Sequence, residues 1–423
     1  MAKRSYVSQR IPPQIKSMLR QFREAITPPP IDETALCDYQ VEPEHNERPR
    51  VTSVLQFMTK GSDFGGAATG IDIFSRLAMA LRQNSNADAR VIITNAGPNS
   101  DPSIVTKYAA KAGLDIRPEQ VQLVVSAGDT IEVRPREIFI TQIWWNMLNF
   151  GRIRHIQADL FNAPPMPLIR LAQDYEPGWL EFSSAHMLAR GAYDHTGPLW
   201  TIINSGSLAR YIDVMAHSFD RRYVFEPVIV EALRPYLNRA GASKRLKRVL
   251  VYGRPSVARN CFGALVRGLK AWARDYPEFA DWEIVSAGEP HEPVPLGDGR
   301  KLTSIGKLSL EDYAEMLLGS SVGVSLMASP HPSYPPLEMA HFGLNTVTNS
   351  YLCKDLANFH PNIISISSIT DGELASAIAE ACRRTPGAAP EAINPTYIRT
   401  ETYPFLHDLA RDLCEVFAPV AKS

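Results

Sequence analysis

Two consecutive Rossmann-like domains, each an α/β unit with a doubly wound parallel sheet, are the fold class this sequence predicts. Three observations predict it. Short apolar runs of the buried-strand type alternate with helical stripes along most of the 423 residues. A polar stretch, Asn238-Arg239-Ala240-Gly241-Ala242-Ser243-Lys244, interrupts that alternation, and the pattern then starts again. The chain is also longer than the roughly 250–300 residues that one core usually holds.

The elements follow in order. Residues 1–50 read as an N-terminal extension: a basic start, a short amphipathic helix over 15–26, then a Pro- and acid-rich lead-in with Pro28-Pro29-Pro30. That helix packs on the domain or lies on a membrane surface. No apolar signal-peptide core and no stretch of about 18 apolar residues occurs, so the expectation is a cytoplasmic protein, at most peripheral at the inner membrane face. The first domain, 51–240, offers strands at 51–58, 91–94, 121–125, 137–144, 168–171 and 200–204, with a helical stripe from Ile71 to Leu81. The second, 245–398, offers strands at 249–252, 282–285, 302–305, 322–327 and 345–348, with helices over 261–273 and 310–317. Ser309-Leu310-Glu311-Asp312 opens the latter as a capping box. A last apolar helix, 405–417 within 399–423, has no strand after it and is free to cross back to the first domain.

Composition narrows the function. Lys+Arg number 44 against 45 Asp+Glu, a net charge of −1, which argues against a nucleic-acid grip. Five scattered cysteines with no CxxC pair exclude a zinc ribbon or a disulfide scaffold and fit a reducing compartment. The 33 prolines exceed the usual share of roughly 5%. One proline cluster, Pro330, Pro332, Pro335 and Pro336, lies among apolar residues in 325–349 (SLMASPHPSYPPLEMAHFGLNTVTN). This reads as strand, loop, helix, strand. Ser333 is placed to cap the helix, Pro335 and Pro336 suit its first turn, and Gly343 closes it. A helix start after a strand's carboxyl end favours a phosphate, with the N–H groups of 333–337 as donors. Glu338, in the first turn, either complements the helix dipole or accepts from ribose-type hydroxyls.

Further candidates follow by chemistry. Arg254, Arg259 and Lys307 can offset charge on a diphosphate leaving group, although both arginines also read as surface charges. His331 and Tyr334 lie in the same proline-rich loop. In the loop Lys60-Gly61-Ser62-Asp63-Phe64-Gly65-Gly66, the small residues Gly65 and Gly66 permit close approach of a ligand or simply make a tight turn. Asp174 and Glu176, just beyond the strand 168–171, fit three roles: activating or binding an acceptor hydroxyl, structural hydrogen bonding, or a DxE metal site. No second ligand cluster supports the metal. Trp144-Trp145 reads as core and cleft wall ahead of a sugar platform.

The stretch from Pro335 through Leu337-Glu338-Met339-Ala340 to Phe342-Gly343 resembles the donor motif of GT-B glycosyltransferases of family 4. SLMASPHPSYPPLEMAHFG more closely resembles the WsaF-type rhamnosyltransferases of polysaccharide assembly. The likeness extends to VYGRPSVARNCFGALVRGLKAW (251–272), SAGEP (286–290), IGKLSLEDYAEML (305–317), TNSYLCKDL (348–356) and QDYEP (173–177). It implies a GT-B fold with the active site in the cleft and a retaining, metal-independent transfer of L-rhamnose from dTDP-L-rhamnose to a saccharide acceptor, with no cofactor. It also implies that Glu338 contacts the nucleotide's sugar and that Arg254 is the basic residue of the donor motif, whose later lysine is replaced or shifted, Arg259 being the nearest cation. The family's first glutamate, eight residues before Glu338, is Pro330 here, which leaves His331 or the backbone of 331–334 for that space. A GT-B transferase using another nucleotide-hexose, or a non-catalytic GT-B-like scaffold, are the competing readings.

Overall fold

The computed structural model describes residues 36–418, apart from 57, 59–64, 98–99, 195–196, 242 and 388–393. The expected N-terminal helix, Pro28–Pro30 and most of the first glycine loop therefore lie outside the described residues. The described residues form two seven-stranded sheets and a separate two-stranded ribbon. Across the first sheet the strands run Val121–Leu123, Asp88–Thr94, Arg50–Gln56, Glu137–Thr141, Leu168–Ala172, Leu199–Asn204 and Arg221–Phe225, every pairing parallel. Across the second they run Val294–Gly297, Arg300–Gly306, Glu283–Gly288, Leu246–Gly253, Ser320–Val324, Asn345–Asn349 and Ile363–Ile366. These are parallel too, except for the edge hairpin of 294–306.

In each sheet the first strand is central and the strand order reverses beside it. The reversal lies between Arg50–Gln56 and Glu137–Thr141 in the first sheet, and between Leu246–Gly253 and Ser320–Val324 in the second. Ligands of doubly wound sheets bind outside the carboxyl ends at this switch point. The two doubly wound sheets expected from the sequence are what the chain adopts.

Several boundaries differ from expectation for identifiable reasons. The apolar run 137–144 is a strand only to Thr141, because Trp144 opens the helix Trp144–Phe161. The run 322–327 stops as a strand at Val324, and 325–334 becomes loop. Strands at Gln40–Pro43, Thr130–Val133, Arg221–Phe225, Val294–Gly297 and Ile363–Ile366 are four or five residues long, too short to stand out by pattern.

The two domains are joined twice. The chain passes from first to second through 226–245 and returns through 394–405 to the helix Leu406–Phe417. That helix packs on the helix Gly66–Ser85, and its Leu409, Leu413 and Phe417 complete the first domain's core. The two passes are bonded to each other. Ile229 N–H donates to Tyr397 O at 2.9 Å, Arg234 reaches the carbonyls of Ile398 and Arg399 at 2.5 and 3.0 Å, and Arg399 reaches Glu226 O at 2.9 Å.

At the amino-terminal edge of the first sheet, buried Glu137 meets Arg50 at 2.5 Å and Arg90 at 2.7 Å. Burial opposes its charge, but these two guanidiniums hold its carboxyl below the usual range.

Candidate functional site

At the carboxyl ends of the strands the two domains meet along a polar seam. The strand Leu168–Ala172 delivers Asp174 from the first domain, and the strand Ser320–Val324 delivers the loop 325–334 from the second. Asp174 Oδ1 accepts from Ser329 Oγ at 2.5 Å, a direct bond across the seam. Ser207 Oγ, in the first turn of the helix Gly206–Val214, donates to Pro330 O at 2.8 Å. Arg259, from the second domain, brings Nε to 3.8 Å from Asp174 Oδ2 and lays its guanidinium 4.7 Å from the Trp179 ring centre. The Trp179 indole N–H donates to the same Oδ2 at 3.2 Å.

The loop behind Ser329 is tightly built. Ser329 Oγ accepts the His331 amide at 3.0 Å, and His331 Nδ1 accepts the Ser333 amide at 3.0 Å. Ser333 sits in the left-handed region at φ 68°, a conformation that costs a serine on the order of 1–3 kcal/mol unless its surroundings impose it. The His331 ring is buried, and its Nε2 meets no hydrogen-bond partner among the described residues. Burial pushes its pKa down to about 4, with Asp174 opposing and Lys354 and Arg259 reinforcing the shift.

Ser333 does not cap the helix Pro335–His341. Tyr334 is its N-cap residue, and no side chain caps it. The expected row of amide donors is thinner than the sequence suggested, because Pro335 and Pro336 have no N–H and the Ser333 amide is spent on His331.

Glu338 lies in the first turn, 6% exposed. Tyr313, from the helix Leu310–Gly319, donates its hydroxyl to Glu338 Oε2 at 3.0 Å. Burial drives the carboxyl up to about 7, and that hydroxyl pulls it back only in part. Near it, the His341 ring packs 4.4 Å from the Tyr397 ring and 4.7 Å from the His360 ring, centre to centre.

Arg254 immediately follows the strand Leu246–Gly253. The pairing of Val251 with Val324 in the switch-point register puts it opposite the loop 325–334. Its Nε bonds Glu289 Oε1 at 3.2 Å, and Glu289 also holds the amide and hydroxyl of Ser256. Lys307 is exposed on the loop after Arg300–Gly306. Gly65, at φ 61°, is the N-cap of the helix Gly66–Ser85, and Gly66 O accepts from Gln173 Nε2 at 2.7 Å, so that helix start is tied to the Asp174 loop.

Asp174 and Glu176, expected as a working pair, part company. Glu176 turns into the first domain, where it accepts the Trp144 amide at 2.7 Å and faces Arg170 at 3.2 Å. Arg170 in turn stacks 3.7 Å from the Tyr193 ring centre. Glu176 thus closes the start of the helix Trp144–Phe161. Trp144 is buried core, while Trp145 bonds Asn95 at 3.1 Å.

Sequence reasoning missed Ser329 and Lys354. Lys354 is fully buried beside the seam, donates to Met327 O at 2.7 Å, and is pushed by burial down to about 8. Its only sequence signal is a cation that ends the uncharged run 342–353. Among the described residues, no three His, Cys, Asp or Glu side chains cluster as metal ligands, and no helix is long and apolar enough to cross a membrane.

Both domains match known proteins. A model of the WsaF N-terminal domain matches residues 50–206, and a model of the WsaF C-terminal domain matches 247–379. The O-antigen biosynthesis protein RfbC of Myxococcus xanthus is 30% identical over 177 residues, 42% of this chain and only 13% of that much longer protein. Among solved structures, sucrose-phosphate synthase from Thermosynechococcus elongatus is 13% identical with a TM-score of 0.46, covering 88% of this chain and 95% of that one. WaaG, a glycosyltransferase involved in lipopolysaccharide biosynthesis, is 12% identical with a TM-score of 0.46, covering 86% and 99%. UGT89C1 of Arabidopsis thaliana is 12% identical with a TM-score of 0.47, covering 87% and 100%.

Proposed function

The chain belongs to the WsaF family of glycosyltransferases of polysaccharide assembly, and from that premise we propose that it moves L-rhamnose from dTDP-L-rhamnose to a saccharide acceptor, with retention and without a protein-held metal. One observation carries the site assignment. Glu338 is a deeply buried carboxylate at the second domain's switch point whose only bonding partner among the described residues is a tyrosine hydroxyl. A carboxylate has about four acceptor positions, so most of its capacity is unused. The free 3′-hydroxyl of the nucleotide's deoxyribose is the fitting occupant.

The chemistry needs no nucleophile on the second domain. Breaking the sugar–phosphate bond builds negative charge on the diphosphate, and fixed cations lower that barrier. Arg254 engages Glu289 through Nε, which leaves its terminal nitrogens to meet phosphate oxygens. Arg259, spanning from the second domain to Asp174, holds the cleft shut around the reacting bond. Retention places the acceptor hydroxyl on the same face of the sugar as the leaving diphosphate, whose oxygen can take its proton. The choice of rhamnose and thymidine rests on the family resemblance.

The test is a thermal-shift panel of dTDP-L-rhamnose, UDP-glucose, UDP-N-acetylglucosamine and GDP-mannose, followed by turnover of the best donor. dTDP-L-rhamnose should stabilise most, by about 2.7 kcal/mol at a hundredfold excess over its Kd. Arg254→Ala should lower its turnover by at least tenfold, the loss of one charge-assisted contact, roughly 1.5–3 kcal/mol. A chain that binds none of these sugars, or an unimpaired Arg254→Ala, defeats the proposal.

A further inference from the structure

The loop 329–333 forms a hydrogen-bonded relay that starts on the other domain. Asp174 Oδ1 accepts from Ser329 Oγ, Ser329 Oγ accepts from the His331 amide, and His331 Nδ1 accepts from the Ser333 amide. A backbone amide can only donate, so Nδ1 is the unprotonated ring nitrogen and the neutral ring carries its proton on Nε2. That Nε2–H is buried and has no acceptor among the described residues. A buried donor without a partner is uncommon in a relaxed fold and marks a place where a ligand atom fits.

Asp174 already accepts three hydrogen bonds in this arrangement. Oδ1 accepts from Ser329 and from the Tyr175 amide at 2.8 Å, and Oδ2 accepts from Trp179. A carboxylate so committed is poorly placed to take a proton from an acceptor. It is well placed to report whether the first domain has come up against the second.

We propose that the Asp174–Ser329 bond across the seam positions His331 so that its Nε2–H donates to a hydroxyl oxygen of the transferred glycosyl group. The proposal rests on the nucleotide-sugar reading above. His331 is the sugar-contacting residue, and Ser329 and Asp174 are positioning residues that act through it. The glycosyl group is the fitting partner because it must lie between the domain that holds the nucleotide and the domain that presents the acceptor. The seam at Ser329 is where those two meet. The ring's low basicity keeps it a neutral donor throughout the working pH range.

Isothermal titration of dTDP and of dTDP-L-rhamnose, without acceptor, tests this on the full chain. Ser329→Ala and His331→Phe should each weaken dTDP-L-rhamnose binding about tenfold and dTDP binding less than about twofold, the cost of one lost hydrogen bond confined to the sugar. Ser329→Thr and His331→Gln, which keep the hydroxyl and an N–H near the Nε2 position, should restore binding to within about threefold. Equal losses for both ligands, as a merely structural role would give, overturn the proposal, and so does no loss for either. UDP-glucose and UDP serve as the ligand pair if the panel selects uridine. A wild-type chain that binds no nucleotide sugar at all defeats the functional reading itself, which separates the two failures.

Discussion

Glu176 and Glu338 are two carboxylates that differ in almost nothing except company. One is 2% exposed and the other 6%, and burial raises both to about 7. Glu176 is met by the Arg170 guanidinium and the Trp144 amide inside its own domain. Glu338 is met by one tyrosine hydroxyl at the rim of the other. Depth and acidity therefore do not distinguish a fold-holding carboxylate from the one proposed to hold the nucleotide. The count of unused acceptor positions does, because every unfilled lone pair in a dry site is a place that a ligand hydroxyl improves.

The largest effect that can break this contrast is on stability. Glu176→Ala strands the Arg170 charge in the core and orphans the Trp144 amide, and should cost about 3–5 kcal/mol in urea unfolding. The folded fraction should bind dTDP as wild type does. A stable Glu176→Ala with lost donor binding would place Glu176 in the cleft after all. Next in size, Glu338→Gln should weaken dTDP binding by about tenfold, because the charged acceptor for the deoxyribose 3′-hydroxyl is gone. Its unliganded melting temperature should change little, since it removes a buried charge that has no cationic partner.

The smallest effect is in pH. Both folded pKa values lie above the unfolded carboxylate value, so each group contributes stability that is full below about 4.5 and fades as pH rises through about 7. Only Glu338 should also link to ligand. Hydroxyl donors favour its ionised form, so dTDP affinity should strengthen from pH 6 to 8 with release of up to one proton, and Glu338→Gln should flatten that slope. Titration in buffers of different ionisation heat measures the proton directly.

Both carboxylates were legible in the sequence, and so were the two domains, because buried parallel strands are nearly continuous apolar runs and the runs restart after residue 245. What separates the pair was not legible. Arg170, Trp144 and Tyr313 lie 6, 32 and 25 residues from the carboxylates they meet, and only the packed sheets bring them there. Ser329 had no pattern to announce it, since its partner Asp174 is 155 residues away on another domain. The overestimate of amide donors at 333–337 was avoidable from chemistry alone, as Pro335 and Pro336 carry none.

The double passage between domains has a mechanical consequence. A single connecting strand leaves one domain able to swing and twist about the other in every direction. Two segments clasped side by side, as 229–234 and 397–399 are, define a line, and their cross-bonds oppose twisting more than bending about it. Opening and shutting is then a door's movement, with the same edges meeting at each stroke. In the relay proposed above, a guided approach of this kind costs little entropy, so a single bond between Asp174 and Ser329 suffices as the latch.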